Sequence, residues 1–214
     1  MTKTDGRVER GNRTRRLVLR RTVEIASVEG LEALSVGRLA TELGLSKSGV
    51  FALFGSKEEL QLATVREAER IFAGEVMDPV AEVPAGVARV WRLCDLWLEY
   101  SRGRVFPGGC FFYGVVAEFD ARSGPVHDAV VRAQRRWTAV VERTVEEARG
   151  AGELRADTDA AQLAFELVAL LETANAVSVL HDEETAYRRA RVGIAGRLRS
   201  TVTEKQLARP FAQF

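Results

Sequence analysis

The chain is poor in cysteine, histidine and proline: it has Cys94 and Cys110, His127 and His181, and five prolines in 214 residues. One pair of cysteines cannot build the disulfide framework of a small secreted domain and fits a reducing compartment. A redox-sensing pair stays open, although free cysteine most often serves as a small core residue. Two histidines supply no metal-ligand spacing such as HxxxH, and there is no glycine loop for nucleotide phosphates, so neither a metal nor another cofactor is expected. A long apolar run is also missing, because Glu166 and Glu172 interrupt the most apolar stretch and the N-terminus is basic and polar. No signal peptide or membrane span is expected, and the reading is of a cytoplasmic protein. Net charge is only +1, so the distribution of charge must be read instead of its sum.

What is present is enough to build a core, with 46% hydrophobic and 29% charged residues. The chain exceeds the roughly 150 residues of a common domain, so two domains are expected. Eight Lys or Arg between Met1 and Arg21 face only Asp5 and Glu9, which puts a surplus of six positive charges at one end. Residues 1–12 read as a basic flexible arm suited to a polyanion.

Gly and Pro recur at intervals and no segment alternates with period two, so the fold class is all-α. A helix from about Arg13 to Val28 carries Val18, Leu19, Thr22, Ile25 and Ala26 on one face, with Gly30 just past its end. Val36, Leu39, Ala40 and Leu43 repeat at helical spacing behind the cap Ser35 and stop at Gly44. Ser46 caps a third short helix carrying Val50, Phe51 and Phe54. The capping box Ser56-Lys57-Glu58-Glu59 then opens a long helix to about Glu75. Asp78, Pro79 and Pro84 mark a linker, which sets 13–76 apart from a larger helical domain over 77–214. Breaks at Pro107-Gly108-Gly109 and Ser123-Gly124-Pro125 divide the latter, whose last helices run from about Thr158 to Leu180 and Glu183 to Val202.

The spacing from Ala40 through Gly44 to Val50 is that of a helix-turn-helix. Ala40 is small where the helices cross, Gly44 takes a left-handed conformation, and Val50 seals the shared core. The polar Ser46-Lys47-Ser48-Gly49 is what the first turn of a recognition helix needs to meet base edges and phosphates. Lys57, at a helix start, opposes the helix dipole unless something negative lies near, and a DNA phosphate would supply it. The expected DNA-contacting set is Ser35, Ser46, Lys47, Ser48, Gly49, Phe51 and Lys57.

Val18-Leu19, Gly30, Leu39-Ala40, Gly44, Val50-Phe51, Phe54, Ser56-Lys57-Glu58 and Leu60 together resemble the N-terminal domain of the tetracycline-repressor (TetR) family, over about Arg15 to Leu62. The resemblance implies a three-helix DNA-binding domain, a larger helical effector-binding and dimerisation domain, and a homodimer with two recognition helices. The Gly109-Cys110-Phe111 and Gly124-Pro125-Val126 pieces are similar to those of some members. Two positions depart from the pattern: the family usually has tyrosine where this chain has Phe51, and often a polar residue where it has Leu53. Two phosphate hydrogen bonds common in the family cannot form here, so these side chains either touch a thymine methyl or belong to the core.

Trp91, Cys94, Trp97, Phe111, Phe112, Glu118, His127, Trp137, Phe165 and Asn175 are the expected effector-pocket residues, mostly apolar with a few polar groups. Paired stripes on the last two helices, among them Leu163, Leu167, Ala174, Tyr187 and Ile194, suggest a four-helix dimer interface. An enzyme using Cys110 with His127, a metal site of His127, Glu118 and Asp120, and a structural adaptor are weaker alternatives. The basic arm and the helix-turn-helix argue against the last. The reading is of a non-enzymatic repressor that leaves a palindromic operator on binding a small molecule, with a thiol switch through Cys94 and Cys110 as the alternative.

Overall fold

The computed structural model describes residues 3–207. In chain order the elements are α1 (Lys3–Glu29), a 3-10 turn (Leu31–Ala33), α2 (Val36–Leu43), α3 (Lys47–Phe54) and α4 (Lys57–Phe72). A π turn (Ala73–Met77) leads into α5 (Asp78–Ala81), α6 (Val87–Arg102) and α7 (Phe111–Phe119). The chain finishes with α8 (Pro125–Gly150), α9 (Ala160–His181), α10 (Thr185–Arg199) and α11 (Glu204–Leu207). Among the described residues the one extended feature is an isolated bridge between Leu154 and Val202. The protein is all-α.

Two elements differ from expectation in their limits. α1 starts at Lys3 rather than near Arg13. No proline interrupts it, and Gly6 and Gly11 each cost only about 1 kcal/mol in a helix. The side chains of Lys3, Arg7 and Arg10, part of the expected basic arm, lie outside the described residues. The chain also stays helical through the expected linker at Asp78-Pro79, since Pro79 falls in the first turn of α5, where its missing N–H is no loss.

The chain divides into two compact units, one holding the residues up to 71 with 106–132 and the other 72–105 with 133 onward. A single cut near Met77 does not produce them, because 106–132 belongs with the first unit. There Gly108 lies so close to α1 that a Cβ would stand 1.8 Å from the Ser27 carbonyl oxygen, and its amide donates to Ser27 Oγ at 3.2 Å. Phe106, Phe111, Val115 and Phe119 are buried, as are Val18, Val23, Leu39, Val50 and Leu60. Thr22, the polar member of the α1 stripe, donates to the Leu19 carbonyl (2.8 Å) and accepts from Thr64 Oγ1 of α4 (2.9 Å). That buried hydroxyl pair is therefore satisfied and costs little.

In the second unit α9 packs on α6 and α10 through buried Leu163, Leu167, Leu171, Ala174, Tyr187, Ile194 and Leu198. Among the described residues α9 alone has the length and apolarity of a membrane span, and that buried face is the mark of a core helix. The same residues were expected at the dimer interface; the structure uses them inside the protomer.

α1 and α2 are joined by charge. Arg38 makes a two-pronged contact with Glu29 (2.6 and 2.7 Å) and donates to Glu42 (2.7 Å), while Arg21 reaches Glu42 at 2.7 Å. Hydrogen bonds from Arg38 hold both Glu29 and Glu42 below the ordinary carboxylate range, with Arg21 adding to the effect at Glu42. These carboxyls take up protons less readily folded than unfolded, so their stabilisation is present above the unfolded carboxylate pKa and lost as pH falls through the folded one. The wild-type melting temperature should fall on going from about pH 7 to about pH 3. Replacing Arg38 with Met should flatten that decline, as measured by circular dichroism, and an unaltered slope would contradict the account.

Candidate nucleic-acid interface

The helix-turn-helix is built by caps and one left-handed glycine. Ser35 caps α2 by accepting from the Arg38 amide at 3.1 Å. Gly44 closes it at φ 63°, ψ 31°, and the Leu45 amide returns to the Ala40 carbonyl at 2.8 Å. A Cβ there would strain the backbone, which is why glycine stands at this turn. Ser46 then caps α3, accepting from the Gly49 amide at 3.0 Å. The Gly49 N–H is thus spent on the cap, and a Cβ on Gly49 would press within 2.9 Å of the Ser46 hydroxyl. Both cap hydroxyls accept in these bonds and keep a proton to donate; that of Ser46 lies 3.4 Å from the Ser48 hydroxyl, and either of the two can donate to the other.

α3 buries Val50 and Phe54 and turns its first turn to solvent. Ser46, Lys47, Ser48 and Gly49 are all exposed. Phe51 is 55% exposed, which removes the core alternative for its ring and leaves an apolar patch on the outer face. Leu53 is half-buried, and its carbonyl accepts from Arg15, whose guanidinium also lies 4.7 Å from the Phe54 ring centre. Lys47 lays its stem along α2, with Cε 3.4 Å from where a Gly37 Cβ would stand. Among the described residues it has no carboxylate partner. Lys57 differs: its Nζ donates to the Glu32 carbonyl and to Glu32 Oε2, both at 2.8 Å. The negative neighbour that the start of α4 calls for is already within the protein.

Glu118 is the residue sequence reasoning placed elsewhere. Its carboxylate accepts from the backbone amides of Leu31 (2.7 Å) and Glu32 (2.9 Å), so α7 holds the turn after α1. Gly30 makes room for it at φ 85°, since a Cβ there would meet Glu118 Oε2 at 2.6 Å. A separation of 87 residues hides this bond from any local reading; Gly30 was the available signal, through the close approach that glycine permits.

The other expected pocket residues fall in both units. Phe111 is buried and meets the half-buried Phe112 edge-on at 5.2 Å; the half-buried His127 stands 3.0 Å from Asp128. These belong, like Glu118, to the first unit. In the second, Cys94 and Trp97 are buried, Trp91 is half-buried, and Trp137 meets Phe72 edge-on at 5.3 Å. Asn175 is buried and accepts from Ser101 Oγ at 2.8 Å, and Tyr187 lies 2.9 Å from the same hydroxyl. Phe165 is 68% exposed, so in the protomer it faces solvent.

Burial, then the neighbouring Asp95, pushes the Cys94 thiol up to about 12, which keeps it in its unreactive form at neutral pH. Cys110 is also buried. Among the described residues no three His, Cys, Asp or Glu side chains gather into a metal-binding group, so His127, Glu118 and Asp120 do not form one.

A capped helix-turn-helix with a polar exposed first turn, carried in an otherwise helical chain, defines a DNA-binding transcriptional regulator. The family model for bacterial regulatory proteins of the tetR family matches residues 18–64, and that for the tetracyclin repressor-like C-terminal domain matches 86–194. The chain belongs to the TetR family. Among solved structures, a TetR transcriptional regulator from Chloroflexus aurantiacus is 23% identical with a TM-score of 0.84, covering 91% of this chain and 98% of its own. A TetR-family regulator from Streptomyces coelicolor is 26% identical with a TM-score of 0.73, covering 87% and 95%. AibR, solved in complex with isovaleryl coenzyme A and operator DNA, is 17% identical with a TM-score of 0.66, covering 85% and 96%. No curated protein matches the chain.

Replacing Glu118 with Ala leaves the Leu31 and Glu32 amides without their carboxylate and should cost about 1–3 kcal/mol of stability in denaturant titration. Gly30→Ala should also destabilise, by strain at positive φ and by collision with that carboxylate. Wild-type stability in both variants would contradict the assignment.

Proposed function

We propose that the protein is a cytoplasmic repressor that binds a palindromic operator as a homodimer and leaves it when a small-molecule effector binds. In this reading residues 1–12 add phosphate affinity, 13–76 read DNA, and 77–214 hold the effector and the dimer contact. The observation that carries it is the exposed first turn of α3, where Lys47 is without a carboxylate partner among the described residues and is flanked in sequence by the Ser46 cap hydroxyl and the Ser48 hydroxyl, with the exposed Phe51 one turn on. Lys47 and the Ser46 and Ser48 hydroxyls suit base edges and phosphates, and Phe51 suits a thymine methyl. AibR, solved in complex with isovaleryl coenzyme A and operator DNA, supports an organic effector. In this reading the expected pocket side chains of the second unit, Trp91, Cys94, Trp97, Trp137 and Asn175, are those to which such a molecule would bind. The chemistry of Cys94 and Cys110 gives a thiol switch no comparable support, as both are buried.

The dimer contact follows from what α9 and α10 leave uncovered. Phe165, Leu180 and Val192 are 68, 77 and 70% exposed, a large apolar loss unless another surface covers them. Small Ala169, Ala176 and Gly196, at helical spacing from these residues, allow close approach. Ala174 is buried within the protomer, so a charge there would test folding rather than association. Val192→Arg together with Phe165→Arg should give folded monomer in sedimentation, and a dimer that persists contradicts this face.

On DNA, Lys47→Ala should weaken binding and also relax base preference. Lys57→Ala should weaken all sequences about equally and lower the salt slope by roughly one unit. Affinity unchanged in both at low salt would contradict the reading.

A further inference from the structure

The negative partner of Lys57 is held with unusual care. Glu32 is fixed through its backbone, because Glu118 accepts from its amide and from that of Leu31, while Lys57 also donates to its carbonyl. Its side chain is fixed as well: Gln61 Nε2 donates to Oε1 at 3.1 Å, Arg122 stands 3.5 Å from the same oxygen, and Lys57 takes Oε2 at 2.8 Å. These groups come from α4, α7 and the turn before α8, all within the first unit. Hydrogen bonds from Lys57 and then Gln61 hold the carboxyl below its ordinary range, so Glu32 is charged at neutral pH. The result is an anchored carboxylate on the lysine that would meet the DNA backbone, with the shape and charge of a phosphate oxygen pair.

We propose that Glu32 is an internal phosphate mimic that sets the DNA affinity of the reading head: it neutralises Lys57 in the free protein, and a DNA phosphate must take the ammonium from it. The inference rests on the reading of Lys57 as a phosphate contact. Because the pair is half-exposed, the competition is worth a modest factor rather than a switch between binding and no binding. Its consequence is a uniform lowering of affinity for duplex DNA, since every sequence presents the same phosphate backbone to Lys57.

The test is a double-mutant cycle on the full chain, read as affinity for duplex DNA of random sequence by fluorescence anisotropy over a salt series. Glu32→Gln keeps the shape and can still accept from Gln61, while Glu118 continues to hold the backbone. With Lys57 present it should tighten binding by about two- to fivefold and steepen the salt slope by about 0.9. In a Lys57→Met background the tightening should fall to less than half, because only the general field of one lost carboxylate remains. Glu32→Ala, which removes the acceptor altogether, should tighten binding in the same direction. Equal tightening with and without Lys57 would overturn the proposal by reducing Glu32 to a distant charge. Weaker binding in Glu32→Gln would overturn it by making Glu32 a support for Lys57 rather than a competitor. Loss of Lys57 alone distinguishes the two levels: unchanged affinity in Lys57→Met refutes the phosphate contact itself, and the mimic with it.

Discussion

The reading head depends on one carboxylate, that of Glu118, seated on two backbone amides at the turn after α1. Those amides have no helical partner of their own, and a charged acceptor is the strongest kind of cap for them. The seat exists only because residue 30 is glycine, and it gives α7 a fixed grip on the turn from which Glu32 reaches Lys57. The N-terminus of α6 is treated the same way, with Gly86 at φ 145° and the Val87 amide donating to Glu153 at 2.8 Å. In both cases a glycine without a side chain and a glutamate far away in sequence fix the start of a helical turn.

Charge on the reading head is organised by the same economy. Arg38 and Arg21 are committed to Glu29, Glu42 and Glu24, so they stiffen the joint of α1 and α2. Lys57 is committed to Glu32. Lys47 is left at the first turn of α3 without a carboxylate among the described residues. A protein with a net charge of +1 is thereby given a local positive feature where a recognition helix needs one, and little attraction for polyanions elsewhere on the described surface of that helix pair.

Local chemistry was legible in the sequence and long-range chemistry was not. Ser35 and Ser46 as caps, Gly44 as the left-handed stop, and Val50 and Phe54 as core each follow from a few neighbouring residues, and the structure has them all. The polar, basic stretch before Arg13 reads as a tail, but it holds no proline between Lys3 and Arg13, and α1 runs through it. The stripes of α9 and α10 were recognised as apolar, but a stripe does not say what covers it: Leu163 and Ile194 face the protomer's own core, and Phe165 and Val192 face outward. Glu118 and Glu32 were beyond reach, since an acid on a helix reads the same whether it meets water or an amide 87 residues away.

The central claim is that two copies of α3 read DNA together, and its most direct measurement is selection of bound fragments from random duplex DNA by the full-length protein. The account predicts one enriched sequence made of two inverted half-sites, with centres about 34–36 Å apart or a multiple of that spacing, as two recognition helices on one face of the duplex require. Absence of any enriched sequence, or enrichment of a single half-site without its inverted repeat, would contradict it.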